Sequence, residues 1–471
     1  MLRYFKVFAT GCLIVVSASS CSDLLDTQPK QSVDAGVALT DITGIRSVLI
    51  SVYDRLQPAG YYGQRMIMAP EIMADNVRLT NSNSNRYFNE RVNAPSSEHL
   101  RPLWNNNYPA INEANFILSG IDKSNASDAE KAQIKGEALF LRGLLYFDLA
   151  RAFAYEPTKI VNGFNAGVIL RTEPTNDVTK ADFRERATVE QTYQQIEKDL
   201  KEAIALLPAS TAADRRRATK AAAQGILARL YLYWEKYAEA IQLATEAMNG
   251  TGARLVTGAQ YQGAFTTAPN PESLFEINYV QATESLGSNE SLHSLTTNLT
   301  TGNWGDVVPT NELLGLFEAN DVRRTTMFYS ATKGGESVFF SRKYTATQGP
   351  FTNNVPVMRF SELLLIRAEA YAATGDNTRA LADLNQIRTR AGATPIASTV
   401  TGAALIDAIM TERRLELYLE GHRFFDLKRR GMTITKASLS APVPYNDFRI
   451  LAPLPNDQVQ LNTKLKQNPG Y

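Results

Sequence analysis

Bond-breaking chemistry needs reactive side chains at particular spacings, and this chain offers few. Glycoside hydrolysis needs two carboxylates facing each other roughly 5–9 Å apart, and among 48 acidic residues some pair meets that distance by chance. Glu71 and Asp75 would share a face if their segment is helical, but an i,i+4 pair on one surface does not flank a substrate. The three histidines, His99, His293 and His422, show no His-Glu-x-x-His spacing. A three-ligand catalytic zinc would have to be assembled by the fold alone. There is no Gly-x-Ser-x-Gly elbow and no phosphate-cradling glycine loop. The expectation is a protein without catalytic residues, metal or cofactor, with a lipid-anchored hydrolase as the minor alternative.

Recognition chemistry is better supplied. A sugar ring offers an apolar face and a rim of hydroxyls, so a site for it combines aromatic platforms with amide, carboxylate or guanidinium partners. Two irregular stretches hold both. The first carries Tyr61, Tyr62, Arg65, Asp75, Asn76, Arg78, Asn83 and Tyr87, with Asn81, Asn85 and Arg86 between them. The second carries Asn289, His293, Asn303, Trp304 and Asp306 in a Gly/Thr-rich setting. An indole in a loop either plugs the core or presents a flat face, and Trp304 is open to both readings. Tyr and Asn in these loops favour a glycan over a peptide, although peptide backbones are bound by the same side chains.

The elements that must position those loops are mostly helical. Ile45, Val48, Leu49 and Val52 fall at helical spacing over 42–55. The segment 60–101 has little sustained periodicity and reads as an elaborate loop. A helix over 104–118 follows, then a long one over 128–153 with Ser127 and Glu130 placed as a capping box. Another covers 189–207, stopped by Pro208. Two helical hairpins of similar build come next, 219–234 with 237–248 and 362–374 with 379–391. The second helix of each opens with Ala240 or Ala380, and small residues at a crossing let paired helices approach closely. That pattern points to tetratricopeptide-like stacking. Between the hairpins, 251–311 has no long helix and mixes short strand-like pieces, such as 274–279, with stretches rich in Gly, Ser, Thr and Asn, an unusually large insertion. Loops carried on a rigid scaffold are where binding residues tend to lie. A last helix is expected over 403–418. The fold expected is all-α dominated, with at least three packed helix pairs, a large irregular portion and minor β content.

The ends and the composition bound the setting. Basic residues Arg3 and Lys6, an apolar run from Val7 to Val16 and small residues 17–20 precede Cys21, the order of an export signal. Ten apolar residues are too few for a membrane-spanning helix of about 20. Cys12 lies inside that run, so cleavage at Cys21 leaves one cysteine, which cannot staple its own fold. Acylation of its sulfur resolves this, and the segment resembles a bacterial lipoprotein signal, with Ala18 where Leu is usual. Residues 1–20 read as the signal, 21–34 as a lipidated tether holding Pro29, and 35–471 as one globular unit. Removing 1–20 leaves 47 basic against 48 acidic side chains, so no single-sign field attracts nucleic acid.

Four segments in chain order then resemble the SusD/RagB family: GEALFLRGLLYFDL (136–149), FSELLLIRAEA (360–370), ERRLELYLEGHRFFDLKR (412–429) and the ending QNPGY (467–471). The resemblance implies helix pairs as a platform and an irregular half bearing the ligand surface. It also implies residence on the outer membrane and a role beside a SusC-like TonB-dependent transporter that imports oligosaccharides or, in some members, oligopeptides. Trp104 resembles the family's core tryptophan, and Trp234 fits the end of a repeat helix. The motif charges Arg142, Arg367, Glu369, Glu412, Arg413, Arg423 and Asp426 are expected to form partly buried ion pairs between helices, since the arginine fork meets a carboxylate in two bonds. The expected function is surface capture of an oligomeric nutrient, with a purely structural helical-repeat assembly protein as the alternative of another class.

Overall fold

Helix pairs pack closely where small side chains let backbones approach, and this chain places such residues along its longest helices. The structure, a computed structural model, describes residues 41–176, 179, 182–209, 215–279, 282–346 and 348–471; Cys21 and the tether lie outside the described residues. Helix α1 (Ile42–Asp54) buries Ile45, Leu49 and Val52. α2 (Arg65–Met73) and α3 (Arg101–Gly120) follow, and α4 (Asp128–Phe153) starts at Ser127, whose hydroxyl accepts the Glu130 N–H. The reciprocal half of the expected capping box is not made, because the Glu130 carboxylate is ion-paired with Arg46 of α1. α5 (Val189–Leu206) has the full box instead, through Thr188 and Gln191. A Cβ added at Gly143 of α4 would lie 3.0 Å from Leu200 Cγ of α5, so that glycine sets how near the two helices come.

α6 (Lys220–Tyr233) and α7 (Tyr237–Asn249) form one hairpin, α8 (Phe360–Ala373) and α9 (Asn377–Ala391) the other. α7 packs on α8 although an insertion separates the hairpins in sequence, and α8 also packs on α10 (Gly402–Glu416). α11 (Arg423–Arg429) and α12 (Asn456–Leu461) complete the labelled helices. The expected tetratricopeptide-like pairs are present, with ends shifted by a residue or two. Trp104 and Trp234 are buried, as read from the sequence.

Strands are short and antiparallel. β1 (Val77–Leu79) pairs with β3 (Val307–Pro309), β2 (Ser273–Ile277) with β6 (Val355–Arg359), and β4 (Phe328–Lys333) with β5 (Glu336–Ser341). The expected loop over 60–101 is corrected in part, since it contains α2 and β1. Every residue of α2 except Arg65 is buried, so the helix has no polar face, and a helix covered on all sides shows no amphipathic period.

The motif charges do hold helices together. Arg142 meets Asp199 of α5 in two bonds of 2.8 and 2.6 Å, and Arg429 meets Glu369 of α8 in two of 2.7 Å. Arg367 pairs with Asp383, Arg413 with Asp426, Arg423 with Asp75 and Glu412 with Arg323. A larger buried cluster joins Arg323, Arg359 and Arg390 to Glu272 and Glu416. Burial alone would push the Glu416 carboxyl up, but the three guanidiniums hold it far below the usual carboxylate range.

Candidate functional site: the Trp304 surface

The three-residue pairing of β1 with β3, in register Val77 to Pro309 and Leu79 to Val307, brings two distant loops side by side. Beyond it the Thr80 N–H donates to the Asp306 carbonyl at 2.8 Å and the Thr80 hydroxyl to the Gly305 carbonyl at 3.1 Å. The buried Asp306 carboxylate accepts the Ser84 N–H at 3.0 Å and the Ser84 hydroxyl. The β4–β5 hairpin closes the third side. Gly334 in its turn packs on Ser82, and Glu336 accepts from the Asn81 N–H and from Arg78. Residues 80–87, 297–306 and the hairpin therefore form one connected surface.

Trp304 stands on it, 38% exposed. Its indole N–H donates to Asn289 Oδ1 at 3.2 Å and its main-chain N–H to the Ser294 hydroxyl at 3.1 Å, so ring and backbone are both held. His293 is buried beneath this loop. Its Nδ1 lies 2.9 Å from the Tyr344 carbonyl, which can only accept, so Nδ1 carries the proton. Nε2 is then the acceptor for the Thr300 hydroxyl and the Asn303 amide, each at 3.2 Å. Burial pushes the His293 imidazole below its ordinary value, which keeps that neutral arrangement. Asn81, Asn85, Asn298 and Thr300 are exposed on the same three segments, together with Leu299 and Phe339.

Most of the residues expected to contact ligand instead build the platform. Tyr61, Tyr62 and Tyr87 are buried, which corrects the reading of them as exposed platforms. The Tyr61 hydroxyl donates to Asp148 at 2.6 Å, the Tyr87 hydroxyl to Gln64 at 3.0 Å, and the rings of Tyr61 and Tyr62 pack 4.6 Å apart. Asn76 is buried between Glu71, to which it donates, and Arg414, from which it accepts. Asp75 is clamped by Arg423 at 2.7 and 2.9 Å. Arg65 pairs with Glu290 and Arg78 with Glu336. Asn83 turns its own loop, donating to the Thr80 carbonyl and accepting the Asn85 N–H. Trp304 is the one aromatic of the expected set that reaches solvent.

The Glu71–Asp75 pairing on one helix face is also corrected. α2 ends at Met73, Asp75 turns to Arg423, and Glu71 is buried with its carboxyl pushed up to about 7 by desolvation. His99 pairs with Glu90, and His422 lies 3.9 Å from Glu362. No group of three His, Cys, Asp and Glu able to hold a metal is found among the described residues. The β4–β5 hairpin, which supplies Phe339 and supports Asn81, went unassigned in the sequence. Its signal was present: Gly334-Gly335 between two β-rich runs is a hairpin turn pattern.

A scaffold of stacked helix pairs, with its charges paired internally and an aromatic, amide-lined surface raised on loops, defines a helical binding protein. Comparison with known proteins gives the family. A SusD-like model described as "Starch-binding associating with outer membrane" matches residues 23–232, and the SusD family model matches 337–471. A crystal structure of a Bacteroides vulgatus protein assigned to sugar binding is 30% identical, covering 92% of this chain and 99% of its own, with a TM-score of 0.80. A SusD superfamily protein of the same organism is 27% identical over 92% of this chain and 99% of its own, with a TM-score of 0.81. A SusD-like protein of Formosa agariphila is 22% identical over the full length of both chains. The chain belongs to the SusD/RagB family.

Proposed function

We propose that this protein captures an oligomeric nutrient, a glycan rather than a peptide, on the Trp304 surface and delivers it to a SusC-like TonB-dependent transporter in the outer membrane, breaking no bond. The observation that carries the reading is the exposed Trp304 indole, fixed at its ring by the Asn289 amide and at its main-chain N–H by the Ser294 hydroxyl, on loops that carry further exposed Asn and Thr side chains. A rigid aromatic costs little conformational entropy on binding, and the neighbouring Asn and Thr side chains match a rim of hydroxyls. The sugar-binding assignment of the B. vulgatus relative and the starch-binding description of the matched family model support a glycan. Acylation at Cys21 would anchor the protein; two or three acyl chains are what make such anchoring stable. The family description, "associating with outer membrane", supports that location.

Affinity electrophoresis and calorimetry against polysaccharides, oligosaccharides and oligopeptides test the reading. Trp304→Ala should cost on the order of 1–3 kcal/mol, roughly ten- to a hundred-fold, as for loss of a central contact residue. Unchanged affinity in that variant would place the site elsewhere. Binding confined to peptides would overturn the glycan preference alone. Delivery is tested separately, by co-purification with a β-barrel transporter from gently solubilised membranes. Anchoring is tested by mass analysis of Cys21, where an unmodified thiol in the native protein refutes it.

A further inference from the structure

On the segments that form the Trp304 surface every carboxylate is engaged, while two of the cations are not. Asp306 is buried and accepts both the N–H and the hydroxyl of Ser84. Glu336 accepts the Asn81 N–H and a guanidinium N–H of Arg78 at 2.9 Å. Glu290 follows the Asn289 that holds the indole N–H, and it serves two arginines, Arg65 at 3.0 Å and Arg86 at 3.9 Å. Lys333 and Arg342 form no ion pair and no side-chain hydrogen bond among the described residues. The surface therefore carries surplus positive charge, on a chain whose basic and acidic side chains nearly cancel, 49 against 48.

The hairpin decides where Arg342 stands. β4 and β5 pair Tyr329 with Phe340, and the Arg342 N–H continues the ladder by donating to the Met327 carbonyl at 2.7 Å. Side chains alternate along a strand, so Tyr329, Phe340 and Arg342 share one face. That face is turned to the Trp304 loop. A Cβ on Gly305 would lie 3.0 Å from the Phe340 ring. The Tyr329 hydroxyl accepts the Asn298 N–H at 3.0 Å and donates to Asn298 Oδ1 at 2.9 Å. The Arg342 guanidinium sits over the Tyr329 ring, 4.8 Å from its centre, and is part-exposed. Stacking orients the planar fork and uses none of its N–H donors. A neutral sugar has no charge to match that fork, whereas a carboxylate or a sulfate ester meets it in two charge-assisted bonds.

We propose, resting on the reading of Trp304 as the ligand platform, that the glycan captured here is anionic, bearing uronate carboxylates or sulfate esters, and that Arg342 selects it. Lys333 and the two arginines sharing Glu290 add a favourable field. The test is calorimetry of the purified protein with oligosaccharides in matched pairs. Oligogalacturonate and oligomannuronate are each compared with their methyl esters, and κ-carrageenan and sulfated fucan oligosaccharides with their desulfated forms, which separates carboxylate from sulfate. At least one charged member should bind about tenfold or more tighter than its uncharged counterpart. That advantage should shrink as sodium chloride is raised from about 50 to about 500 mM, because salt screens exposed charges. Arg342→Gln should abolish it and Arg342→Lys should retain part of it, both with the parent's thermal midpoint. Trp304→Ala should instead weaken both members of a pair by the same factor. The proposal is overturned if no charged member binds at millimolar concentration, if the uncharged counterparts bind as tightly, or if Arg342→Gln weakens both members of a pair alike. A charge preference that Arg342→Gln removes and Trp304→Ala leaves untouched, with affinity unchanged in the latter, would refute the indole as platform and leave the selection by Arg342 standing.

Discussion

Replacing Arg229 by Met isolates what one buried ion pair does for this scaffold. Arg229 on α6 reaches Glu362 on α8 through two bonds of 2.7 and 2.5 Å and donates to the Val357 carbonyl; both side chains are about 2% exposed. Burial pushes the Glu362 carboxyl up, but Arg229, with His422 and Arg413, more than reverses that and holds it at about 2 against an ordinary 4.5. At 1.36 kcal/mol per unit, that displacement corresponds to about 3 kcal/mol. Removing one partner of a buried pair independently suggests about 3–5 kcal/mol. Met fills much of the volume, so the urea midpoint at pH 7 should fall by an amount equivalent to about 3–5 kcal/mol at unchanged slope. The sign of the pH dependence is fixed as well. With Arg229 present the carboxylate stays charged until pH nears 2; without it the buried carboxyl titrates above its ordinary value, and protonation relieves the unpaired charge. The deficit of the variant should therefore be largest at pH 7 and shrink towards pH 5. Arg229→Met combined with Glu362→Leu should recover most of the loss, because an apolar pair leaves no charge stranded. A deficit equal at both pH values, with no recovery in the double variant, would refute the reasoning.

Burial holds the His422 imidazole at about 4, below its ordinary 6.5, so folding favours the neutral ring; its contribution is fully present above pH 6.5 and is lost as pH falls towards 4. His422→Leu should flatten the stability profile over that window in denaturant titrations. Tyr61→Phe removes the bond to buried Asp148 and should lower stability by about 1–2 kcal/mol while leaving glycan affinity unchanged in calorimetry, the reverse of what a contact residue would do. Asn468 donates to the Phe153 and Ala452 carbonyls and accepts from Arg186, so Asn468→Ala should cost about 1–3 kcal/mol, read as a lower thermal midpoint. Gly421 has φ +76, and a Cβ there would meet the Met66 carbonyl oxygen at 2.3 Å; Gly421→Ala should reduce soluble yield sharply, and a variant with the parent's thermal midpoint would contradict that.

The helices were legible because each long one carries a local signal, a periodic apolar stripe or a cap. α2 carries neither, being buried nearly all round, and so passed for loop. The tyrosines show a different limit. Tyr61 and Tyr62 sit in an irregular stretch and look like platforms, yet the carboxylate that receives the Tyr61 hydroxyl belongs to Asp148 on α4, a partner no local pattern announces. Trp304 was open to two readings for the same reason: whether a loop indole faces in or out depends on what lies beneath it, here His293, Asn303 and the β4–β5 hairpin. The motif charges were read correctly as ion pairs because their chemistry excludes most other roles for an arginine on an apolar stripe.

That division has a consequence for how specificity can change. The charge pairs that fix the helices, such as Arg142 with Asp199 and Arg429 with Glu369, lie within or between scaffold elements and touch none of the loop residues around Trp304. The loops are joined to the scaffold through β1 and β3 and to each other through Thr80, Ser84 and Asp306. Residues outside that brace, including Asn81, Asn298, Thr300 and Trp304 itself, can be exchanged without uncovering a buried charge, whereas exchanging Asp306 takes the acceptor from the Ser84 N–H and hydroxyl and leaves only the Thr80 bonds to hold the 80–87 loop against its neighbour. Asp306→Ala should therefore lower glycan affinity by about tenfold or more while the thermal midpoint of the helical body stays close to that of the parent. A large fall in stability with affinity retained in the remaining folded fraction would show instead that Asp306 serves the core and that the loops hold their shape without it.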